Sequence, residues 1–219
     1  MTAQPLRIDI VSDVVCPWCI VGYRQLKQAV DATGAEVDIH WHPFELNPNM
    51  PAEGQNMVEH IMEKYGSTKE QSAANRARLT EVGAELDFEF AFSDDMRMHN
   101  TFNTHQLLHW ATQQERGNDL KQALFVAHFT HHRDLSDNDV LADVASEIGL
   151  DRAEAVEVLS DQRFANATRQ EEQFWTQQGI TGVPAMVFDR QYLVTGAQGV
   201  ENYTNILGQL AKNAQDAAE

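Results

Sequence analysis

The sequence predicts an α/β fold in the order strand, helix, strand, a long helical insertion, then helix, strand, strand, helix. Three observations carry that expectation. Short alternating apolar runs occur towards the two ends of the chain and not in its middle. Residues 56 to about 178 show helical spacing instead. The only two cysteines, Cys16 and Cys19, fall where the first strand-like run gives way to a helix-like one.

The elements follow in order. Leu6, Ile8 and Ile10 alternate with Arg7 and Asp9, the period-two pattern of a strand. Pro17 suits the first turn of a helix, where its missing N–H costs nothing. Leu26, Ala29 and Val30 continue that helix's apolar face to a stop near Gly34. Val37, Ile39 and Trp41 alternate with Asp38, His40 and His42 in a second strand, completing a parallel βαβ unit with a right-handed crossover. "HPFELNPNMP" carries three prolines and ends regular structure. In the middle, Val58, Ile61, Met62 and Tyr65 share one helical face; Phe102, His105, Leu108, His109 and Trp110 lie along a second helix; Leu124, Phe125, His128 and Phe129 lie along a third. "DLSDNDVLADVASEIGL" reads as a helix capped by Ser136 or Asp137 and stopped at Gly149. Strand character returns in "ITGVPAMVFDRQYLVTGA": Pro184 to Phe188 and Tyr192 to Thr195 form a hairpin across "DRQ", and residues 200 to 214 a last helix. The expected partition is one α/β domain, residues 1–55 and 165–219, interrupted by an all-helical domain, residues 56–164.

Composition narrows the function. Acidic residues number 33 against 16 basic ones, a formal charge of -17, which disfavours nucleic acid and anionic membrane surfaces as partners. No apolar run approaches the roughly 20 residues that cross a bilayer. The start "MTAQPLRIDIV" has no pattern of an export signal, so the expectation is a cytoplasmic protein whose thiols are kept reduced. A purely structural disulfide does not fit that setting.

Thiols at i and i+3 on the first turn of a helix approach closely enough to form a disulfide. Cys16 sits at the helix end, where unpaired N–H groups and the helix dipole stabilise a thiolate; Cys19 lies one turn in and is more shielded. The pair therefore reads as an attacking and a resolving sulfur for thiol–disulfide exchange. Zinc usually takes a second CxxC or a paired His motif; there is no third cysteine, and although folding could bring His40 with His42 or His131 with His132 near, Pro17 and Trp18 between the thiols favour redox chemistry, so no metal is expected. Between the thiols, Pro17 and Trp18 form part of the substrate surface and supply no cation to the sulfur; Trp18 is either an apolar platform for peptide or glutathione or a local packing residue. Asp13, three residues before Cys16, caps the approaching turn or exchanges a proton with a cysteine. The histidines on helical apolar faces, His105, His109 and His128, read as satisfied core residues. In "TGVPAMVF", a proline opening an apolar run in a chain that also has a CxxC on a βαβ unit points to the cis-proline loop of a thioredoxin fold. Val183 would then offer its backbone to an extended substrate beside Cys16, next to Pro184.

The stretches "SDVVCPWCIVG", "WHPFELNP", "HRDLSD", "GITGVPAMVF" and "VTGAQG" resemble the DsbA-like branch of the thioredoxin-fold superfamily, and within it the FrnE-type proteins. The resemblance spans about residue 6 to 210. It implies a thioredoxin domain with an inserted helical domain and thiol–disulfide oxidoreductase activity on protein or small-molecule thiols. It also implies Cys16 as nucleophile, Cys19 as resolving thiol and Pro184 as the cis-proline, with no bound cofactor and glutathione as a redox partner. The runner-up is a glutathione-dependent isomerase or transferase of the 2-hydroxychromene-2-carboxylate isomerase or kappa type, which has no need of Cys19.

Overall fold

The computed structural model describes residues 5–216; residues 1–4 and 217–219, which fall within the expected α/β segments, lie outside the described residues. In chain order the elements are β1 (Leu6–Ser12), α1 (Pro17–Thr33), β2 (Val37–Pro43), β3 (Gln55–Asn56), α2 (Met57–Tyr65), α3 (Lys69–Glu85), β4 (Arg97–Met98), α4 (Phe102–Thr112), α5 (Gly117–Phe129), α6 (Asn138–Glu147), α7 (Arg152–Asp161), α8 (Ala165–Gln177), β5 (Ala185–Phe188), β6 (Tyr192–Thr195) and α9 (Val200–Asp216).

The four longer strands form one sheet in the order β2-β1-β5-β6. β1 runs parallel to β2, with Ile8 opposite Ile39 and Ile10 opposite Trp41, and antiparallel to β5, with Ile10 opposite Met186. A central strand is covered on both faces, which is why the second half of β1 is buried at every residue. α1 and α9 pack together, with Leu26 and Tyr203 buried among the apolar side chains of the sheet. α5 and α8 contact β2.

The helical segment between β2 and β5 does not form a separate core. Ile8, Ile10 and Leu26 belong to the same apolar cluster as Leu107, Leu120, Phe125, Leu141 and Val158. The segment also holds a two-residue antiparallel ladder, Gln55–Met98 and Asn56–Arg97, too short to leave a period in the sequence. A smaller cluster of Val11, Trp175, Ile180 and Ala185 fixes the chain entering β5 against β1. Helix ends follow local chemistry. Thr68 and Gln71 form a reciprocal capping box on α3, Asp137 caps α6, and Gly34 closes α1 with φ 66°.

Candidate active site

The turn between β1 and α1 sets the first sulfur. Cys16 is the N-cap of α1, with extended backbone (φ -92°, ψ 110°) and Pro17 in the first turn. Its N–H donates to the Asp13 carbonyl at 3.2 Å, and the Cys19 N–H donates to the Cys16 carbonyl at 3.1 Å. No acidic residue lies in the first turn of α1, so the positive end of that helix faces Cys16 unopposed. Both cysteines are free thiols. Cys16 is 4% exposed and Cys19 is fully buried.

The second wall comes from the far end of the chain. The Val183–Pro184 peptide is cis, and the Cys16 thiol donates to the Val183 carbonyl at 3.7 Å. Gly22 of α1 allows this approach: a Cβ there would lie 3.3 Å from Met186 Cε and 3.4 Å from Pro184 Cγ. Trp18, two residues after Cys16, is half-buried, with the Arg78 guanidinium of α3 5.6 Å from its ring centroid.

Behind the thiols the environment is dry and charged. Burial pushes Cys19 well above the usual thiol range, reinforced by the neighbouring Cys16 and opposed by a backbone hydrogen bond from Asp13 and by the Lys121 charge. Lys121, from α5, is 1% exposed; burial lowers it to about 8, against the pull of Cys19, Asp13 and Cys16. Its ammonium lies 5.2 Å from the ring centroids of both Trp41 and Phe125. The fully buried Asp13 accepts from the Leu46 N–H at 2.7 Å and the Val15 N–H at 3.4 Å, and lies 3.6 Å from His105 Nε2. Burial alone would raise that carboxyl, but His105, the Leu46 N–H and Lys121 hold it below its ordinary value.

Pro17 and Trp18 supply no cation to the sulfur; the helical segment brings the positive charge instead, from Lys121 of α5 and Lys64 of α2, both of which feel Cys16. Burial lowers Lys64, while Asp13 and Cys16 pull it back up. Lys121 was legible as an anomaly: Lys121, Leu124, Phe125 and His128 stand at i, i+3, i+4 and i+7, so a lysine occupies an apolar helical face. Asp13 accepts the Val15 N–H of its own turn, the capping role expected of it. His105 is the satisfied core residue expected, its Nε2 also 3.1 Å from the Phe44 carbonyl. His128 is not: it is buried, its Nε2 has no partner, and burial lowers it to about 3.

A second polar cluster lies apart from the sulfurs. His42 is held between Asp9, at 2.7 Å from Nε2, and Glu171 of α8, at 2.6 Å from Nδ1. Burial would lower its pKa, but the two carboxylates raise it. His42, His105, His109, Lys121, Trp41 and Glu171 help line a cavity of about 570 Å3. Among the described residues no group of three or more His, Cys, Asp or Glu side chains is placed to hold a metal ion, and no helix is long and apolar enough to cross a membrane.

The model of the DSBA-like thioredoxin domain matches residues 7–208. The chain belongs to that family. It is 34% identical to the probable DsbA oxidoreductase SCO1869 from Streptomyces coelicolor, with a TM-score of 0.87 over 93% of this chain and 89% of that one. It is 27% identical to the uncharacterized protein YwbO of Bacillus subtilis (strain 168), over 89% of this chain and 92% of that protein. A 2-hydroxychromene-2-carboxylate isomerase shares the fold at 14% identity, with a TM-score of 0.71 over 97% of this chain and all of that one. The family match and the Streptomyces coelicolor relative together support a DsbA-like oxidoreductase in general terms.

Proposed function

We propose that this protein is a dithiol–disulfide oxidoreductase or isomerase of the FrnE-type branch, working in a reducing, cytoplasmic setting. One observation carries the reading: two free thiols share the first turn of α1, one facing the Val183 carbonyl and the other buried against Asp13 and Lys121. In the reductive direction the Cys16 thiolate attacks one sulfur of a substrate disulfide, the substrate S–S bond breaks and one thiolate leaves. Cys19 then gives up its proton towards Asp13 and the Lys121 cavity, attacks the Cys16 sulfur and releases the second thiolate. Two electrons pass from the dithiol to the substrate, leaving a Cys16–Cys19 disulfide that a reduced partner, glutathione among them, restores. Val183 and Pro184 form the edge along which an extended substrate lies, and Pro17 and Trp18 the lip beside it. A glutathione-dependent isomerase would leave Cys19 without a part to play.

The test is insulin reduction by dithiothreitol. The wild type is expected to accelerate it, Cys16→Ser to lose the acceleration, and Cys19→Ser to hold substrates as mixed disulfides on Cys16. Full acceleration by Cys16→Ser would overturn the reading.

A further inference from the structure

We propose that Arg78, lying over Trp18, makes the Cys16 opening selective for disulfides that carry a carboxylate close to the S–S bond, with glutathione disulfide as the small-molecule representative. The proposal rests on the disulfide-exchange reading above and adds a substrate class to it.

The chain as a whole, at -17, repels anions. The rim of Cys16 is different. Seven arginines, Arg7, Arg76, Arg116, Arg133, Arg152, Arg163 and Arg169, are each held by a carboxylate. Arg78, like Arg24, Arg97 and Arg190, makes no such pair among the described residues, and of these four it is the one over Trp18, two residues from Cys16, where it is exposed. Its place over the indole orients the planar group while leaving its outward N–H donors free for a bidentate carboxylate. Lys64 adds a second positive charge within electrostatic reach of Cys16. Its ammonium donates to the Leu46 carbonyl at 2.5 Å and Asn47 Oδ1 at 2.7 Å and forms no ion pair among the described residues, the buried Asp13 acting on it only at a distance. The acidic neighbour Glu63 is engaged by Gln55 at 2.7 Å. The N-terminus of α1 contributes partial charge of the same sign. Among the described residues the Val183 N–H has no backbone hydrogen-bond partner, which leaves it to pair with a peptide backbone lying across Cys16. A short peptide disulfide with a terminal carboxylate fits this combination: backbone on Val183, sulfur on Cys16, carboxylate on Arg78. The exchange is unchanged in kind: two thiolates leave the ligand, two electrons enter it, and the enzyme dithiol becomes a disulfide.

The experiment follows oxidation of the reduced protein by Trp fluorescence with three probes: glutathione disulfide (anionic), bis(2-hydroxyethyl) disulfide (neutral) and cystamine (dicationic). Arg78→Ala is expected to lower the rate ratio of glutathione disulfide to the neutral probe by about fivefold, the scale of one exposed ion pair. Arg78→Glu should lower it further and accelerate cystamine, while Arg78→Lys retains part of the preference. Raising the salt should compress the wild-type ratio. A ratio unchanged within twofold in Arg78→Ala, or an equal slowing of all three probes, overturns the selectivity. Failure of the wild type to react with even the neutral probe overturns the exchange reading itself, and this proposal with it.

Discussion

Asp9 and Asp13 lie four residues apart on the same strand-and-turn segment, and both are buried, yet they serve different ends. Asp9 is in contact with two cationic partners, Arg7 at 2.6 Å and His42 at 2.7 Å. Its charge is neutralised where it stands, and those contacts hold it well below the usual carboxylate range against burial. Asp13 is held by backbone N–H groups and by His105 at 3.6 Å. Lys121 acts on it by charge, with no ion pair between them among the described residues, and is shared with Cys19 and Cys16. The contrast teaches that burial alone does not set how a carboxylate is held. What separates the two is whether the counter-charge is bound in contact or left at a distance where a third group competes for it.

Paired substitutions test that contrast most strongly. Asp13→Asn is expected to slow resolution of the mixed disulfide by at least about tenfold, because it removes the charge that supports Lys121 beside Cys19. Asp9→Asn should instead cost about 3 kcal/mol of stability, by urea unfolding, with turnover per folded molecule unchanged. Full resolution in Asp13→Asn, or lost turnover in folded Asp9→Asn, would erase the distinction.

Lys121→Met sharpens it. Losing the ammonium should push Cys19 further up and slow release of the second product thiol by about tenfold at pH 7, the effect of one pKa unit. In the wild type that rate should rise with pH and flatten near pH 8, where Lys121 loses its proton; in Lys121→Met the flattening should be gone. Stopped-flow resolution of a preformed mixed disulfide reads both.

The smallest effect concerns the His42 clamp. His42 is raised above its ordinary 6.5, so its contribution to stability is complete below that value and lost as pH climbs through the folded pKa. Glu171 is pulled down to about 2, so its share is present above its ordinary 4.5 and lost only as pH falls through about 2. Glu171→Gln should therefore cost about 1 kcal/mol at pH 6 and progressively less on the alkaline side. A cost independent of pH between 5 and 9 would assign the contact to packing alone.

The four strands of the main sheet and both halves of the sulfur site were legible because their signals are local. Alternation in Leu6–Ile10 and Val37–Trp41 marks strands, CPWC after a strand marks a redox turn, and Pro17 and Gly34 bound the helix between them. The surroundings of the sulfurs were less legible because they are assembled from distant segments. Lys64, Arg78, His105 and Lys121 lie on four different helices, and nothing in their own neighbourhoods names Cys16 or Cys19 as the neighbour. A lysine on an apolar face shows that a partner is needed, not which one. The common core was equally hidden, since helical periodicity records that Leu120 and Phe125 are buried and not what buries them.

The hydrogen bond between Cys16 and Val183 spans 167 positions of sequence, and that interval is also an interval of time. At a synthesis rate of roughly 5–20 residues per second, about ten to thirty seconds separate the appearance of the thiols from that of the carbonyl that faces them. Lys121 is made within that gap, and the α8 contacts that fix the entry to β5 come near its end. Until the last strands are delivered, the nascent chain carries a dithiol with no binding edge beside it. On this reading the proposed exchange waits for Val183, and a nascent chain that stops short of it holds only the dithiol half of the site.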